Sequence, residues 1–170
     1  MTRFVRIVAA FAVFPLLSAA AAEGVDDATR RAAAGAVRRG VRFLLERQEA
    51  DGSWMHHPAV TSLACAAIAN APDGEVAGGA SDAVTRGLDF VVQHAHADGS
   101  IWNKEAEKYP NYSTAVSLVA LTIVNRPSDE DVIRAGRRFL LDSQFTDVSP
   151  DDPSFGGIGY GKKLRPDLSN

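Results

Sequence analysis

One phrase occurs three times along this chain at nearly constant spacing, and it constrains the fold more than any other feature. Each copy places a glycine and a phenylalanine in an apolar helical pattern, and the first two copies close on Asp-Gly-Ser. Gly40 and Gly87 are 47 residues apart, and Gly87 and Gly136 are 49 apart. A period of this size is typical of repeat architectures, in which neighbouring units bury one another's apolar faces.

We expect the recurring residues to be structural, because each falls at the same place in its copy. They are Gly40, Phe43, Gln48, Gly52 and Trp54 in the first copy, Gly87, Phe90, Gly99 and Trp102 in the second, and Gly136, Phe139 and Gln144 in the third. Ala95 replaces the glutamine of the second copy, and Ile101 is interpreted as an extra residue before Trp102. The third copy departs through a longer acidic loop, followed by the aromatic-glycine run 155–161.

Each copy contains an amphipathic helix, because its apolar residues recur at helical spacing. In the first copy these residues are Val37, Val41, Leu44 and Leu45, and matching positions of the other copies are apolar except Arg137. The first helix is predicted to begin at Asp27, with Asp26 or Asp27 at its positive end. Ser81 with Asp82, and Ser128, are predicted to open the other two.

A second type of helix lies between the copies. Residues 60–71 and 113–124 carry no charge, which predicts two buried helices. We expect each repeat to be a hairpin of one surface-facing amphipathic helix and the buried helix that follows it. Prolines punctuate the ends of these segments, and no strand pattern stands out. The predicted fold class is therefore all-α.

The N-terminus has the pattern of a secretory signal peptide. A basic start is followed by an apolar run and then by Ala20-Ala21-Ala22 before Glu23. This predicts removal of residues 1–22, a repeat domain over 23–170, and export to the periplasm or the extracellular space. An uncleaved anchor is the alternative, and no later segment could span a bilayer.

The charge of the mature chain argues against a nucleic-acid partner. Loss of Arg3 and Arg6 leaves 16 basic and 21 acidic residues, a net charge of −5, whereas nucleic-acid binding requires a basic face. Cys65 is the only cysteine, so no disulfide forms within the chain. The fold must therefore rest on its apolar core.

The pattern Arg-Gly-x-x-Phe-Leu-x-x-x-Gln followed by Gly-x-Trp resembles the QW repeat of squalene and oxidosqualene cyclases. Protein prenyltransferase β subunits share that helical-hairpin scaffold. The first copy fits fully from Arg39 to Trp54, the second partly from Arg86 to Trp102, and the third through Gln144. The segment 155–170 is similar to bacterial prenyltransferase/squalene-oxidase repeat proteins. The likeness covers residues 30–170.

The resemblance implies an α/α toroid of about six hairpins around a central cavity, of which this chain supplies about two and a half. Leu168-Ser169-Asn170 matches the position where the next buried helix should begin, so we expect an N-terminal fragment of a longer repeat array. A natural half-toroid is the alternative. Open repeat faces then predict self-association or binding of an apolar small molecule.

Catalytic residues are not predicted. The family's acid lies in an Asp-x-Asp-Asp motif, which is absent from this sequence. Asp129-Glu130-Asp131 is closest in composition, and we interpret it as a solvated helix start. Asp147 and Asp151-Asp152 are interpreted as parts of a solvated turn.

No metal or other cofactor is predicted either. A protein prenyltransferase would hold zinc with Asp, Cys and His, but Cys65 lies in an alanine-rich segment typical of a core cysteine. His56-His57, His94 and His96 are interpreted as surface or helix-end residues, since histidines two positions apart do not share a helix face.

Three functions remain open on the sequence. The first is a terpenoid-cyclase-like scaffold with an apolar inner face, uncertain as an enzyme and inactive as a fragment. The second is a non-catalytic secreted toroid that binds an apolar ligand or a protein. The third, most distant, is a toroid of the polysaccharide-lyase type, which the acidic charge disfavours because uronate substrates need basic residues.

Overall fold

The computed structural model describes residues 25–72, 79–105, 108–161 and 166. Within these ranges lie α1 (Asp27–Glu46), α2 (Pro58–Ala69), α3 (Ala80–Gln93), α4 (Pro110–Val124) and α5 (Glu130–Asp142), with a 3-10 turn at Pro127–Asp129. The same ranges contain no strand, only an isolated antiparallel bridge between Ala95 and Ile101. The predicted all-α class is therefore confirmed. The predicted signal peptide 1–22 and the predicted helix start at 168–170 lie outside the described residues.

The starts of α1 and α3 lie where the sequence predicts them, but only α1 has a side-chain cap. Asp26 caps α1 as predicted, since its carboxylate accepts a 2.8 Å hydrogen bond from the Thr29 N–H. Ser81 and Asp82 lie in the first turn of α3, so the predicted start is correct to within one residue. That helix begins at Ala80 after Gly79, whose φ of +89° turns the chain into the helix without a side-chain cap.

The two uncharged helices lie side by side at the centre of the molecule. α2 packs against α4, and the Ser62 hydroxyl donates a 3.1 Å hydrogen bond to the Ser117 hydroxyl between them. α2 also packs closely against α3, and α4 packs against α5, whereas α1 contacts α2 only lightly. The predicted hairpins are therefore not confirmed: of its two amphipathic neighbours along the chain, each central helix packs more closely on the one after it.

The prediction that α2 and α4 are buried holds for one side of each helix only. Thr61, Cys65 and Ile68 of α2 are buried, as are Thr114 and Leu121 of α4. The opposite side of each helix is exposed, because none of the described elements covers it. One side of each helix lacks charges because it packs in the core. The other side also lacks charges, although it is exposed, and it presents apolar residues to the exterior.

Candidate functional site

The two Asp-Gly-Ser segments form the same turn. In the first, Asp51 Oδ1 accepts hydrogen bonds from the Ser53 N–H at 2.9 Å and from the Ser53 hydroxyl at 2.7 Å. In the second, Asp98 Oδ1 accepts the same pair from Ser100 at 3.0 and 2.6 Å. The aspartate side chain thus substitutes for a backbone acceptor in each turn, as such residues commonly do.

Each of these turns packs against the next amphipathic helix at a glycine. Gly52 and Gly99 both have φ of +88°, a conformation that glycine adopts readily. A Cβ on Gly52 would lie 2.6 Å from the Arg86 carbonyl oxygen, and one on Gly99 would lie 2.4 Å from that of Ala135. Close backbone approach therefore requires glycine at both turns.

The helix side of each joint also carries a glycine. A Cβ on Gly87 would lie 2.4 Å from the Cys65 sulfur and 3.5 Å from the Gly52 carbonyl oxygen. A Cβ on Gly136 would lie 2.9 Å from Leu118 and 3.4 Å from the carbonyl oxygen of the second turn's glycine. These four recurring glycines are thus explained by two equivalent joints between successive units. We call them the first and second joints.

Gln48 strengthens the first joint. Its Nε2 donates hydrogen bonds to the Gly52 carbonyl at 2.9 Å and to the Ala83 carbonyl of α3 at 2.8 Å, and its Oε1 accepts one from Arg86. In the second joint Ala95 stands in place of this glutamine, and Ala135 stands in place of Arg86. That joint is therefore held by backbone and apolar contact.

The third copy builds the same turn after its longer loop. Gly156 donates to the Phe145 carbonyl at 2.8 Å, and Phe145 donates to the Gly157 carbonyl at 2.9 Å, which repeats the pair of backbone bonds in the first turn. Gln144 Nε2 donates to the Gly156 carbonyl at 3.4 Å. Gly156 has φ of +75°, so it matches Gly52. We call Gln144 with Phe155–Gly157 the third turn.

Ile101, not Trp102, occupies the position of Trp54. The Trp54 N–H donates to the Thr61 hydroxyl at 2.9 Å, and the Ile101 N–H donates to the equivalent Thr114 hydroxyl at 2.8 Å. Trp102 is only half-buried and its indole N–H donates to the Ser100 hydroxyl. The interpretation of Ile101 as an extra residue is therefore wrong. Matching tryptophan with tryptophan shifted the second copy by one position.

The three recurring phenylalanines differ in exposure. Phe90 and Phe139 are 6% and 4% exposed, whereas Phe43 is 53% exposed. A preceding unit packs on α3 and on α5, and within the described residues nothing corresponding covers α1. The sequence gives no sign of this difference, since the three residues have equivalent neighbours.

The exposed sides of α2 and α4 together form an apolar face. On α2, Leu63 lies two positions from both Thr61 and Cys65, so it projects about 200° away from the core side. The exposed or half-buried residues of this face are Val60, Leu63 and Ala67 on α2, and Tyr112, Val116, Val119 and Ile123 on α4. Leu63 is 53% exposed and Val119 is 57% exposed. Large apolar residues grouped in this way mark binding surfaces more often than isolated ones do.

Aromatic rings extend this apolar face at the N-terminal end of α4. The Tyr160 ring lies 5.3 Å from Tyr109 and 6.1 Å from Tyr112 between centroids. Asn111 holds this end in place, since its side chain donates to the Gly159 carbonyl at 2.8 Å and its N–H donates to the Tyr160 carbonyl at 3.0 Å. The segment that directly follows the third turn is therefore attached to α4.

A small cavity lies at the other end of the central helices. It has a volume of about 290 Å³ and is lined by Ile68, Ala69, Ala71, Ala80, Ser81, Val84, Thr85 and Val124. This volume is at the lower limit for small-molecule sites. The extended apolar face is consequently the better candidate for a hydrocarbon-sized ligand.

His56 belongs to an exposed polar cluster beside the first turn. Its Nδ1 lies 2.8 Å from Asp51 Oδ2 and 3.3 Å from the Ser53 hydroxyl, and its Nε2 lies 3.2 Å from Glu49. In a hydrolytic triad the serine and the aspartate contact different ring nitrogens. Here both contact Nδ1, so the cluster lacks the geometry of a Ser-His-Asp nucleophile. Met55 and His56 also have positive φ values of 60° and 51°.

The cluster shifts the pKa values of two of its members. The hydrogen bond with Asp51, followed by the charges of Glu49 and Asp51, raises the pKa of His56. Partial burial works to raise the pKa of Asp51, but hydrogen bonds from Ser53 and His56 outweigh it and lower the pKa to about 2. The shifts favour a charged pair that stabilises the turn.

The other candidate residues are dispersed. Cys65 is buried in the core, and this burial raises the pKa of its thiol to about 12, despite the opposing effect of Arg126. His94 and His96 contact separate backbone carbonyls, those of Phe90 and Trp102. Across the part of the chain that the structure describes, no group of three or more His, Cys, Asp or Glu could hold a metal ion.

The acidic candidates have two different environments. Asp129 was expected to be solvated, but it is 2% exposed and its carboxylate accepts hydrogen bonds from Arg126 at 2.7 and 3.0 Å. Glu130 and Asp131 are exposed and pair with Arg134. The interpretation of Asp129 as a surface residue is therefore wrong. Its carboxylate can be buried because the positive charge of Arg126 is paired with it.

The acidic loop of the third copy shows local turn contacts. Asp152 accepts a 2.7 Å hydrogen bond from the Ser154 N–H, and the Asp151 N–H donates to the Ser149 hydroxyl at 3.3 Å. Asp147 is exposed.

Comparisons of this chain with models of protein families, with curated proteins and with solved structures find no match. The resemblance to the cyclase repeat therefore stays a prediction from the sequence. Among the described helices, none is both long enough and apolar enough to cross a bilayer.

Proposed function

We propose that this chain is an exported protein of the squalene cyclase/prenyltransferase repeat type, and that its apolar face on α2 and α4 binds an apolar ligand. The proposal rests on the exposure of this apolar face on two adjacent helices. The equivalent first and second joints support a toroid-like array of repeats, because each adds a unit to its neighbour by the same contact. The signal-like residues 1–22 support export.

The chemistry of the apolar face favours binding over catalysis. Its members offer aliphatic and aromatic contacts, and full burial of one such side chain contributes roughly 1.5–3 kcal/mol. A cyclase of this type would use a strongly acidic carboxylic acid in its cavity. The seven residues that define this face include no acid, and we assign the face no chemical step. The proposed role is that of a scaffold that holds a hydrocarbon.

Squalene is a suitable probe for this site. We expect the wild-type chain to retain squalene through gel filtration, and the double variant Leu63→Asp/Val119→Asp to retain at least about tenfold less, because both charges would be buried by the ligand. Leu141→Asp is the matched control, since Leu141 is 54% exposed on α5 against 53% for Leu63 on α2. This control should bind like the wild type.

Two results would count against the proposal. Equal retention by the wild type and the double variant would place the ligand elsewhere, for instance in the cavity at Ile68 and Val84. No retention by any of the three folded proteins would exclude squalene-like ligands, and it would favour the alternative of a protein partner on the same face.

A further inference from the structure

We propose that copies of this chain associate head to tail. In this arrangement the bare side of α1 in one copy, formed by Arg39, Gly40 and Phe43, packs on the third turn of another copy. The contact would repeat between molecules the joint that the chain makes twice within itself. This inference concerns a different surface from the apolar face of α2 and α4, and it does not depend on ligand binding.

The third turn offers the first half of this joint. It has the backbone bonds and the positive φ of the first turn, yet a Cβ on Gly156 would meet no atom of the described residues within 4 Å. At Gly52 and Gly99 the same position contacts the backbone of the next helix at 2.6 and 2.4 Å. Phe155, beside Gly156, is 46% exposed. The turn is therefore formed, and no helix of the described part of the chain packs on it as α3 and α5 pack on the first two turns.

The side of α1 that carries Gly40 offers the second half. Among the described residues, a Cβ on Gly40 would meet nothing within 4 Å, whereas a Cβ on Gly87 or Gly136 would lie 3.5 or 3.4 Å from the glycine carbonyl of the preceding turn. Phe43 is 53% exposed although Phe90 and Phe139 are almost completely buried. α1 thus presents the residues that α3 and α5 use for docking, without the contact.

The polar residues of the two open halves match each other. The first joint pairs Arg86 with Gln48, and the second joint has lost both partners together, with Ala95 and Ala135 in their places. Arg39 stands at the position of Arg86, and Gln144 stands at the position of Gln48. A joint between Arg39 of one copy and Gln144 of the next would therefore be of the first, hydrogen-bonded kind.

Such a contact joins two different surfaces of the two copies. A dimer formed in this way still has one unpaired α1 side at one end and one unpaired third turn at the other. Heterologous contacts of this kind build rings when the rotation closes and filaments when it does not. The expected behaviour in solution is an association that grows with concentration beyond the dimer. A self-complementary interface would stop at two copies.

The test uses sedimentation velocity of the full chain from about 1 to 100 µM, the range of ordinary specific association. Gly40→Leu should weaken association at least about tenfold while the monomer stays folded, because the added side chain meets open space and leucine favours a helix. Ala28→Leu is the matched control. It lies twelve residues earlier on α1, about 18 Å along the axis, and should associate like the wild type.

A mixing experiment tests the head-to-tail arrangement itself. Gln144→Arg should block the third turn by charge repulsion with Arg39, whereas Gly40→Leu blocks α1. Each variant alone should associate at least about tenfold more weakly than the wild type. At concentrations where neither associates alone, their mixture should form dimers and no larger species, since one intact pair of surfaces remains. The double variant Arg39→Glu/Gln144→Arg should recover association because the charges then attract.

Several outcomes would overturn the proposal. The wild-type chain could remain monomeric at 100 µM, as it would if other residues of the same chain cover either half. Association that Gly40→Leu leaves intact would exclude α1, and its loss in Leu63→Asp/Val119→Asp would assign the contact to the apolar face. Mixed variants that stay monomeric would exclude the head-to-tail contact.

Discussion

Trp54 connects three parts of the first unit through one side chain. It is 4% exposed, its indole N–H donates a 2.9 Å hydrogen bond to the Leu44 carbonyl at the end of α1, and its ring lies against Gly87 of α3. Its own N–H is bound by Thr61 at the start of α2. Truncation of this side chain would therefore loosen three helices at once.

We expect Trp54→Ala to lower the free energy of unfolding by about 3 kcal/mol, the low end for large-to-small aromatic substitutions in a core. Trp102→Ala is the internal control, with a smaller expected loss of about 1 kcal/mol, because Trp102 is only half-buried. Urea unfolding followed by circular dichroism measures both. A loss below about 0.5 kcal/mol at Trp54 would contradict its role in joining the helices.

At the scale of elements, Arg126 connects α3 to the start of α5. It contacts Asp89 of α3 at 2.7 Å and Asp129 at 2.7 Å, and Asp129 is nearly inaccessible to solvent whereas Asp89 is exposed. Burial works to lower the pKa of Arg126, but hydrogen bonds with Asp129 and then Asp89 outweigh it and raise the pKa. Loss of the ion pair between Arg126 and Asp129 should therefore cost more stability than loss of the pair between Arg126 and Asp89.

We predict that Arg126→Met costs about 3 kcal/mol of stability, because it leaves Asp129 buried without its counter-charge. The double variant Arg126→Met/Asp129→Asn should recover part of this loss, since the buried charge is removed as well. Asp89→Asn should cost less than about 1 kcal/mol, as expected for an exposed pair. Thermal or urea unfolding of the three variants gives the comparison. A double variant less stable than Arg126→Met would show that the buried charge is not the cause.

The sequence predicted the helices better than their contacts. Helical periodicity and the Asp26 cap located α1, because these signals are local in the chain. The sequence did not show which amphipathic helix packs more closely on each central helix, because this depends on where the Asp-Gly-Ser turn packs, a contact between Gly52 and Arg86, 34 residues apart. The burial of Asp129 was missed for a related reason, since its partner Arg126 is held at this place by contacts with Thr85 and Asp89, which lie 41 and 37 residues away in sequence.

The sequence predicted that the candidate site would be apolar, but not which residues would form it. Uncharged sequences at 60–71 and 113–124 correctly indicated an apolar layer, but they did not show which side of each helix would remain exposed. The recurring glycines marked the joints, yet their reason, close approach of two backbones, is visible only in three dimensions. Phe43 illustrates the limit, because its sequence neighbours match those of Phe90 while its surroundings do not.

For the whole molecule, stability should fall from the central helices toward α1. α2 buries seven of its residues and packs on both α3 and α4, whereas α1 buries only Val41 along its 20 residues. Local opening requires less free energy where fewer apolar contacts must be broken. The repeat therefore produces a gradient of protection even though its copies share one sequence pattern.

Native-state hydrogen exchange at low protein concentration tests this gradient. We expect amides in the middle of α2 and α4 to exchange slowest, at least about tenfold slower than those of α1, because the difference in opening free energy should exceed about 1.4 kcal/mol. Comparison within helix interiors removes the effect of frayed ends. Equal protection of α1 and α4 would mean that all helices open together, and the light contact between α1 and α2 would then be sufficient to make the molecule one cooperative unit.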